Sequence, residues 1–298
     1  MARAIIARVL LMTLLAVFGL ISMASQERHP TAQQIVERIQ KSVGVPWHEP
    51  TVDTFKAGDP STPVTGVAVT MMATLDVLQH AANGGDNLII THEPTFYGHL
   101  DETVGLAKEA DPVFVAKEAF IREHHLVIWR FHDFWHERKP DGILTGMIGA
   151  LNWGKFQNAS NRNVFDLPST TLGQLATDIQ AKLSIRTLRV VGDASVMVTR
   201  IALSEGFAGF ETNRRLFQFD GVDVLVIGED HEWETIEYAA DATTAGKRKG
   251  LIVLGHVPSE QAGMEECARW LRSFVHEVPV HFVATAEPFW RPEINRFK

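Results

Sequence analysis

The chain has 298 residues, 45% of them hydrophobic and 21% charged, a globular balance with enough apolar material for one large core or two ordinary ones. A formal net charge of −8 with no long basic run argues against a nucleic-acid partner. The single cysteine, Cys267, excludes an intramolecular disulfide, and its setting in the amphipathic stretch GMEECARWL gives it a buried apolar role.

Residues 1–24 read as a secretory signal peptide. Arg3 and Arg8 make a positive start, an apolar run covers 9–23, and Ser22 and Ala24 are the small residues expected before a cleavage site at Ser25. That run is short against the ~20 apolar residues of a membrane span. The expectation is an exported protein, periplasmic or secreted, anchored to a membrane only if the leader stays uncleaved.

A helix follows over 31–43, with Ile35, Ile39 and Val43 spaced four apart. Then come a strand at 64–70, a helix at 75–82 closed by Gly84-Gly85, a strand at 87–91, a helix at 112–124 and a strand at 126–131. This β-α-β-α-β rhythm predicts a parallel or mixed sheet covered by helices. The polar stretch 157–163 and Pro168 mark a looser connection, with a boundary near Asn158. Beyond it the pattern predicts helices at 172–183, 233–245 and 259–275. Strands are expected at 188–191, 201–203, 222–227, 251–254 and 278–283. The fold class is therefore α/β, as two units with mixed sheets flanked by helices, spanning 25–158 and 159–298.

The 13 histidines are unevenly placed. Strand 87–91 runs into His92-Glu93-Pro94. Strand 126–131 runs into His132-Asp133, with His136 four residues after His132. Strand 251–254 passes through Gly255 to His256, with Glu260 four residues on, and strand 222–227 leads to Glu229-Asp230-His231. Sites in open α/β sheets lie beyond the carboxyl ends of the strands. Imidazoles and carboxylates are donors for zinc, iron or manganese, and a carboxylate can bridge two ions ~3.5–4 Å apart. Glu260 is the candidate bridge, placed in the first turn of a helix opened by Pro258-Ser259. His99 lines the cleft or faces solvent; His124 and His125 flank a helix end, and His29, His48, His80, His276 and His281 are given structural roles. No G-x-S-x-G elbow and no phosphate-binding glycine loop is present.

The segment NLIITHEP resembles the strand and metal loop of the Nif-three-like dinuclear-metal family, whose members are often labelled GTP cyclohydrolase 1 type 2 homologues. That loop usually reads THHP. GHVPSEQAGMEECARWL resembles the family's second signature, G-H-x-x-x-E followed by a glycine and an amphipathic helix. The resemblance implies two α/β units with the site in the cleft between them, and assembly as a toroidal hexamer. It implies that His92 and His256 bind metal and that Glu260 bridges two ions. His132 matches a middle-loop histidine, and His136 stands where the family has an aspartate. Glu93 stands where the family has a second histidine. The two exchanges together leave the formal ligand charge roughly unchanged.

These readings lead to a hydrolase that uses a metal-activated water on a small molecule. The metal set is His92, Glu93, His132, His136, His256 and Glu260, holding two divalent ions. Glu93 and Asp133 are each a ligand or a general base, and Glu229 and His231 orient ligands. An exported protein meets little GTP, so a different substrate is expected. The rival reading is a non-catalytic metal-binding or scaffold protein in a ring-shaped homo-oligomer.

Overall fold

A computed structural model describes residues 29–292; the expected signal peptide at 1–24 lies outside the described residues. The chain runs α1 (Ala32–Ser42), β1 (Phe55–Ala57), β2 (Val67–Thr70), α2 (Leu75–Asn83), β3 (Leu88–Thr91), α3 (Val104–Lys108), α4 (Pro112–Glu123), β4 (Val127–Arg130), α5 (Asp133–Glu137) and α6 (Gly142–Leu151). It continues with β5 (Val164–Thr171), α7 (Leu172–Leu183), β6 (Arg189–Val191), β7 (Met197–Ser204), α8 (Phe210–Gln218), β8 (Val224–Ile227), a π-helical turn (Glu232–Ile236), α9 (Glu237–Thr244), β9 (Gly250–Val253), α10 (His256–Leu271) and β10 (Val280–Phe282). Among the described residues no helix is long and apolar enough to cross a membrane.

Two five-stranded mixed sheets result, ordered β1-β4-β3-β2-β10 and β5-β7-β8-β9-β6. Each has a parallel centre: β10, β2, β3 and β4 in the first, β7, β8 and β9 in the second. Antiparallel strands close three of the four edges, β1 on β4, β5 on β7 and β6 on β9, and parallel β10 forms the fourth. The central strands VAVT, LIIT, VIWR, VLVI and GLIV are buried along their whole length. Burial on both faces explains why they read as continuous apolar runs without alternation.

Several elements depart from the sequence expectation. The last strand pairs in parallel with β2, so the C-terminal segment returns to the first sheet instead of completing the second. Residues 164–171, which follow the polar stretch 157–163 in the expected looser connection, form edge strand β5; its register shifts between Asp166 and Thr170, around Pro168, where a missing N–H is tolerated. Helix α10 begins at His256, so Glu260 stands in its second turn and not its first, with both side chains on one face.

Helix α6 (GILTGMIGAL) carries three glycines and reads poorly as a helix. Packing requires two of the small residues at its crossing with α10. A Cβ on Gly146 would lie 2.2 Å from the Ala262 carbonyl oxygen, and one on Gly263 would lie 2.5 Å from the Ile143 Cα. The Trp135 indole N–H donates to the Gly263 carbonyl at 3.2 Å. This tight crossing locks the helix that carries His256 and Glu260 to the segment that carries His132 and His136.

Candidate metal centre

The carboxyl ends of the parallel strands of both sheets deliver the site. His92 and Glu93 follow β3, His132 follows β4 at the start of the short helix α5, and His136 lies one turn on. Glu205 follows β7, Glu229 follows β8, and His256 opens the helix after β9. One donor atom each from His92, His132 and His136 lies within 4.8 Å of the other two, and the same holds for His92, Glu93 and Glu260. His256 joins the second group, its Nε2 3.2 Å from Glu93 Oε1 and 3.4 Å from Glu260 Oε2. Six of the expected ligands therefore converge, and they come from both halves of the chain. Glu93 and His136, the two residues that depart from the resembling motif, both point inward.

The hydrogen bonds around the imidazoles fix their tautomers. His92 Nδ1 donates to the Phe131 carbonyl at 3.1 Å, an atom that can only accept. His132 Nδ1 donates to Asp133 at 2.9 Å, His136 Nδ1 to Asp141 at 3.0 Å, and His256 Nδ1 to Glu229 at 2.9 Å. Each ring, when neutral, therefore turns the lone pair of Nε2 toward the cleft. His92 Nε2 and His136 Nε2 stand 3.2 Å apart, so with both rings neutral lone pair would face lone pair. Glu260 Oε2 is buried without a hydrogen-bond partner, 3.6 Å from His92 Nε2. Such a convergence is stable only around a cation, either protons or a metal ion.

The protonation pattern agrees. Burial, then the charges of His132 and His136, keep His92 well below the ordinary imidazole value, so it is neutral. Burial opposes charge on His136 too, but Asp141, helped by Glu260 and Glu205, lifts it to about 9. His256 is likewise opposed by burial and is carried up to about 12 by Glu229, Glu260 and Glu93. Glu93 would rise through burial, yet His256, His132 and Arg130 bring it below the usual carboxylate value.

The supports were mostly invisible in the sequence. Asp53 is buried and caps α5, its two oxygens accepting from the backbone N–H groups of His132 (2.6 Å), Asp133 (3.0 Å) and Phe134 (3.0 Å). Arg130 is fully buried; it donates to the carbonyls of His92 (3.0 Å) and His99 (2.5 Å) and reaches Glu93 Oε2 at 3.4 Å. Asp141 caps α6 through Oδ1 while Oδ2 holds His136. Only the Asp141-Gly142 pair after Pro140 hinted at it, as a turn.

Asp133 is not a cleft base. Its Oδ1 holds His132, and its Oδ2 accepts from the Thr51 hydroxyl (2.8 Å) and the Val52 N–H (3.0 Å). The bond to His132, with those two, holds its carboxyl well below the usual range. Glu229 orients His256 as expected, but His231 does not serve the centre. It faces Glu234 at 3.4 Å and stacks on Trp233 with ring centroids 4.5 Å apart. Asp230, His231 and Glu234 form a third close group. Asp230 is already committed to Asn213, Thr235 and the His231 N–H.

A cleft of about 560 Å³ opens over the donors, lined also by His99, Ser204, Glu205 and Phe207. Glu205 was not anticipated. Its Oε1 is buried and unpartnered, and burial, with Asp141 and Glu260, pushes its carboxyl up to about 8. A cavity of similar size, about 660 Å³, lies on the far side of β1 and includes none of these donors.

Residues 31–288 match the family model Duf34/NIF3 (NGG1p interacting factor 3). The chain belongs to this family. It is 26% identical over 249 residues to a Chlamydia pneumoniae protein named GTP cyclohydrolase 1 type 2 homolog, covering 79% of this chain and 90% of that one. A Bacillus cereus protein related to NIF3 superposes with a TM-score of 0.68 at 15% identity, over 89% of this chain and 100% of the other. Staphylococcus aureus hypothetical protein SA1388 does so at 0.64 and 18%, again over 89% and 100%. Both structures share the fold of two mixed sheets flanked by helices.

Proposed function

We propose that this NIF3 protein is a metal-dependent hydrolase of an exported small-molecule pathway, holding two divalent ions of zinc, iron or manganese. The carrying observation is the inward convergence of four Nε2 lone pairs and two carboxylates, with every Nδ1 hydrogen already bonded outside the site. An imidazole nitrogen has one lone pair, so His92 serves a single ion. His132 and His136 lie on its side. His256 and Glu93 would hold the other, and Glu260, whose Oε2 lies 3.6 Å from His92 Nε2 and 3.4 Å from His256 Nε2, would link the two groups.

Divalent ions bound in such a set supply Lewis acidity and make a water acidic enough to attack at neutral pH. The chain's own residues do the rest. Phe131, Asp133, Asp141 and Glu229 hold the four rings in register. Arg130 offsets the negative charge of the carboxylates and fixes Glu93. Among the described residues, Glu205 is the carboxyl lining the cleft outside the ligand set. It holds its proton near neutrality, as a group that protonates a leaving atom must. The side chains of His132, His136 and His256 are about a quarter exposed to the cleft, which favours an open, reactive centre over a closed storage or structural site.

The test is metal analysis of untagged protein prepared without chelator, beside His256→Ala and Glu260→Ala. Roughly two ions per chain, lost in both variants, are expected. The loaded protein is then assayed on ester, amide, phosphate and nucleoside panels. Bound metal without turnover on any panel would replace the hydrolase with the metal-binding scaffold.

A further inference from the structure

A third cavity, about 680 Å³, abuts the metal centre and shares Glu93 and His256 with it. Its main walls come from the turn after β3, the loop leading into α10 and the C-terminal strap after β10, with Met72 after β2, Thr187 and Arg189 at β6 and Glu229 after β8 completing it. Its walls are mainly apolar, from Met72, Pro94, Leu254, Val257, Pro288 and Phe289. The strap is held in place. Glu287 accepts from the Arg186 N–H at 2.7 Å and from the Thr187 hydroxyl, and Arg291 donates to the Leu188 carbonyl at 3.1 Å.

The charges at this cavity are unsuited to phosphate. Apart from the ligands it shares with the metal centre, Glu229 and Glu287 border it. The one Lys or Arg among its lining residues, Arg189, is largely exposed and lies 3.4 Å from Glu232. The volume falls within the range of small-molecule sites, which combine apolar walls with a few placed polar groups. Here the placed polar groups are the metal ligands themselves.

We infer that this cavity receives an apolar acyl or aryl body, so that the substrate is an uncharged ester or amide and not a nucleotide. The inference rests on the hydrolase reading for the bond broken, and on the cavity alone for the body bound. Hydrolysis of such a bond consumes one water: the acyl carbon takes the oxygen, and the departing alcohol or amine takes a proton.

Calorimetric binding of alkyl hydroxamates to the metal-loaded protein tests the inference without turnover. Lengthening acetohydroxamate to octanohydroxamate should tighten binding by about fourfold for each of the first few methylenes, and at least ~30-fold in all. The double variant Met72→Asp, Phe289→Asp should cut that ratio below ~3-fold and leave acetohydroxamate unchanged, a comparison that also reports a folded site. Equal binding of both chain lengths would overturn the inference and leave the metal centre standing; so would GTP binding tighter than octanohydroxamate. Acetamide and octanamide on chelator-treated protein separate the two readings. If neither hydroxamate binds the loaded protein while octanamide still outbinds acetamide, the cavity assignment survives and the metal centre fails.

Discussion

Asp141 holds two things at once. Oδ1 accepts from the Ile143 and Leu144 N–H groups at 2.7 and 3.1 Å and caps α6; Oδ2 accepts the Nδ1 hydrogen of His136 at 3.0 Å. Asparagine has one oxygen and so can serve only one of them. With its oxygen kept on the helix, its NH2 faces His136 Nδ1, which must then become the acceptor. The ring hydrogen moves to Nε2 and the inward lone pair is lost. Outer partners of this kind typically contribute 10–100-fold in metal affinity, or about 1.4–2.7 kcal/mol. Asparagine caps helices about as well as aspartate, so the metal-free protein, measured above the pH at which His136 loses its charge, should lose ~1 kcal/mol or less. Asp141→Ala should lose the cap as well, a further ~1 kcal/mol. Competition with a chromophoric chelator gives the affinity, and urea unfolding of stripped protein gives the stability. An Asp141→Asn protein that binds metal within ~3-fold of wild type would refute the tautomer reasoning.

Further outcomes follow from the same geometry. Metal uptake at pH 7 should release roughly two protons per chain, because His136 and His256, lifted to about 9 and about 12, must both lose one. Calorimetry in two buffers of different ionisation enthalpy measures this, and no buffer dependence would contradict it. Gly263→Val should lower stability by ~3 kcal/mol or more by forcing α6 from α10, and a melting point near wild type would mean the crossing is loose. Arg130→Gln strips donors from the His92 and His99 carbonyls and from Glu93, and should lower stability by ~3–5 kcal/mol; a change under ~1 kcal/mol would deny its buried role. Lys117, buried and donating to the Thr95 carbonyl at 2.5 Å, is lowered to about 8 by burial, with Asp101 opposing. The unfolded chain keeps that proton to about 10.4, so it binds more protons than the native state above pH 8. Stability should therefore gain with pH between about 8 and 10 relative to Lys117→Met; parallel curves would remove the claim.

The ligands were legible because each stands at the carboxyl end of an apolar strand, where chain direction alone sends it to the cleft. THEP and GHVPSEQ carry that information locally, as do His132 and His136 four residues apart. The supports were not legible, because they act across distance. Asp53 caps a helix that starts some eighty residues later. Arg130 reads as part of an apolar strand, LVIWRF, until the carbonyls it satisfies are placed around it. Glu205 follows a strand end just as His92 does, and position would have found it had acids after every strand been weighed alike.

The same contrast explains why the fold needs both units. The first sheet brings His92, Glu93, His132 and His136, of which three are imidazoles whose Nε2 atoms converge. Alone they would be a cluster of repelling dipoles with Glu93 as the one anion. The second unit adds His256 and Glu260 on one face of α10, and the glycine-lined crossing with α6 fixes how deeply that face enters the cleft. The return of β10 to the first sheet ties the far end of the same segment to the first unit. A change that alters the α6–α10 spacing by an ångström should therefore weaken metal binding before it unfolds either sheet. Gly146→Ala is the smallest such wedge. At a site where even one methylene is felt, it should lower metal affinity by at least ~10-fold and leave far-ultraviolet circular dichroism unchanged. If instead both signals fall together, the centre and the fold are a single cooperative unit and the two sheets do not form independently.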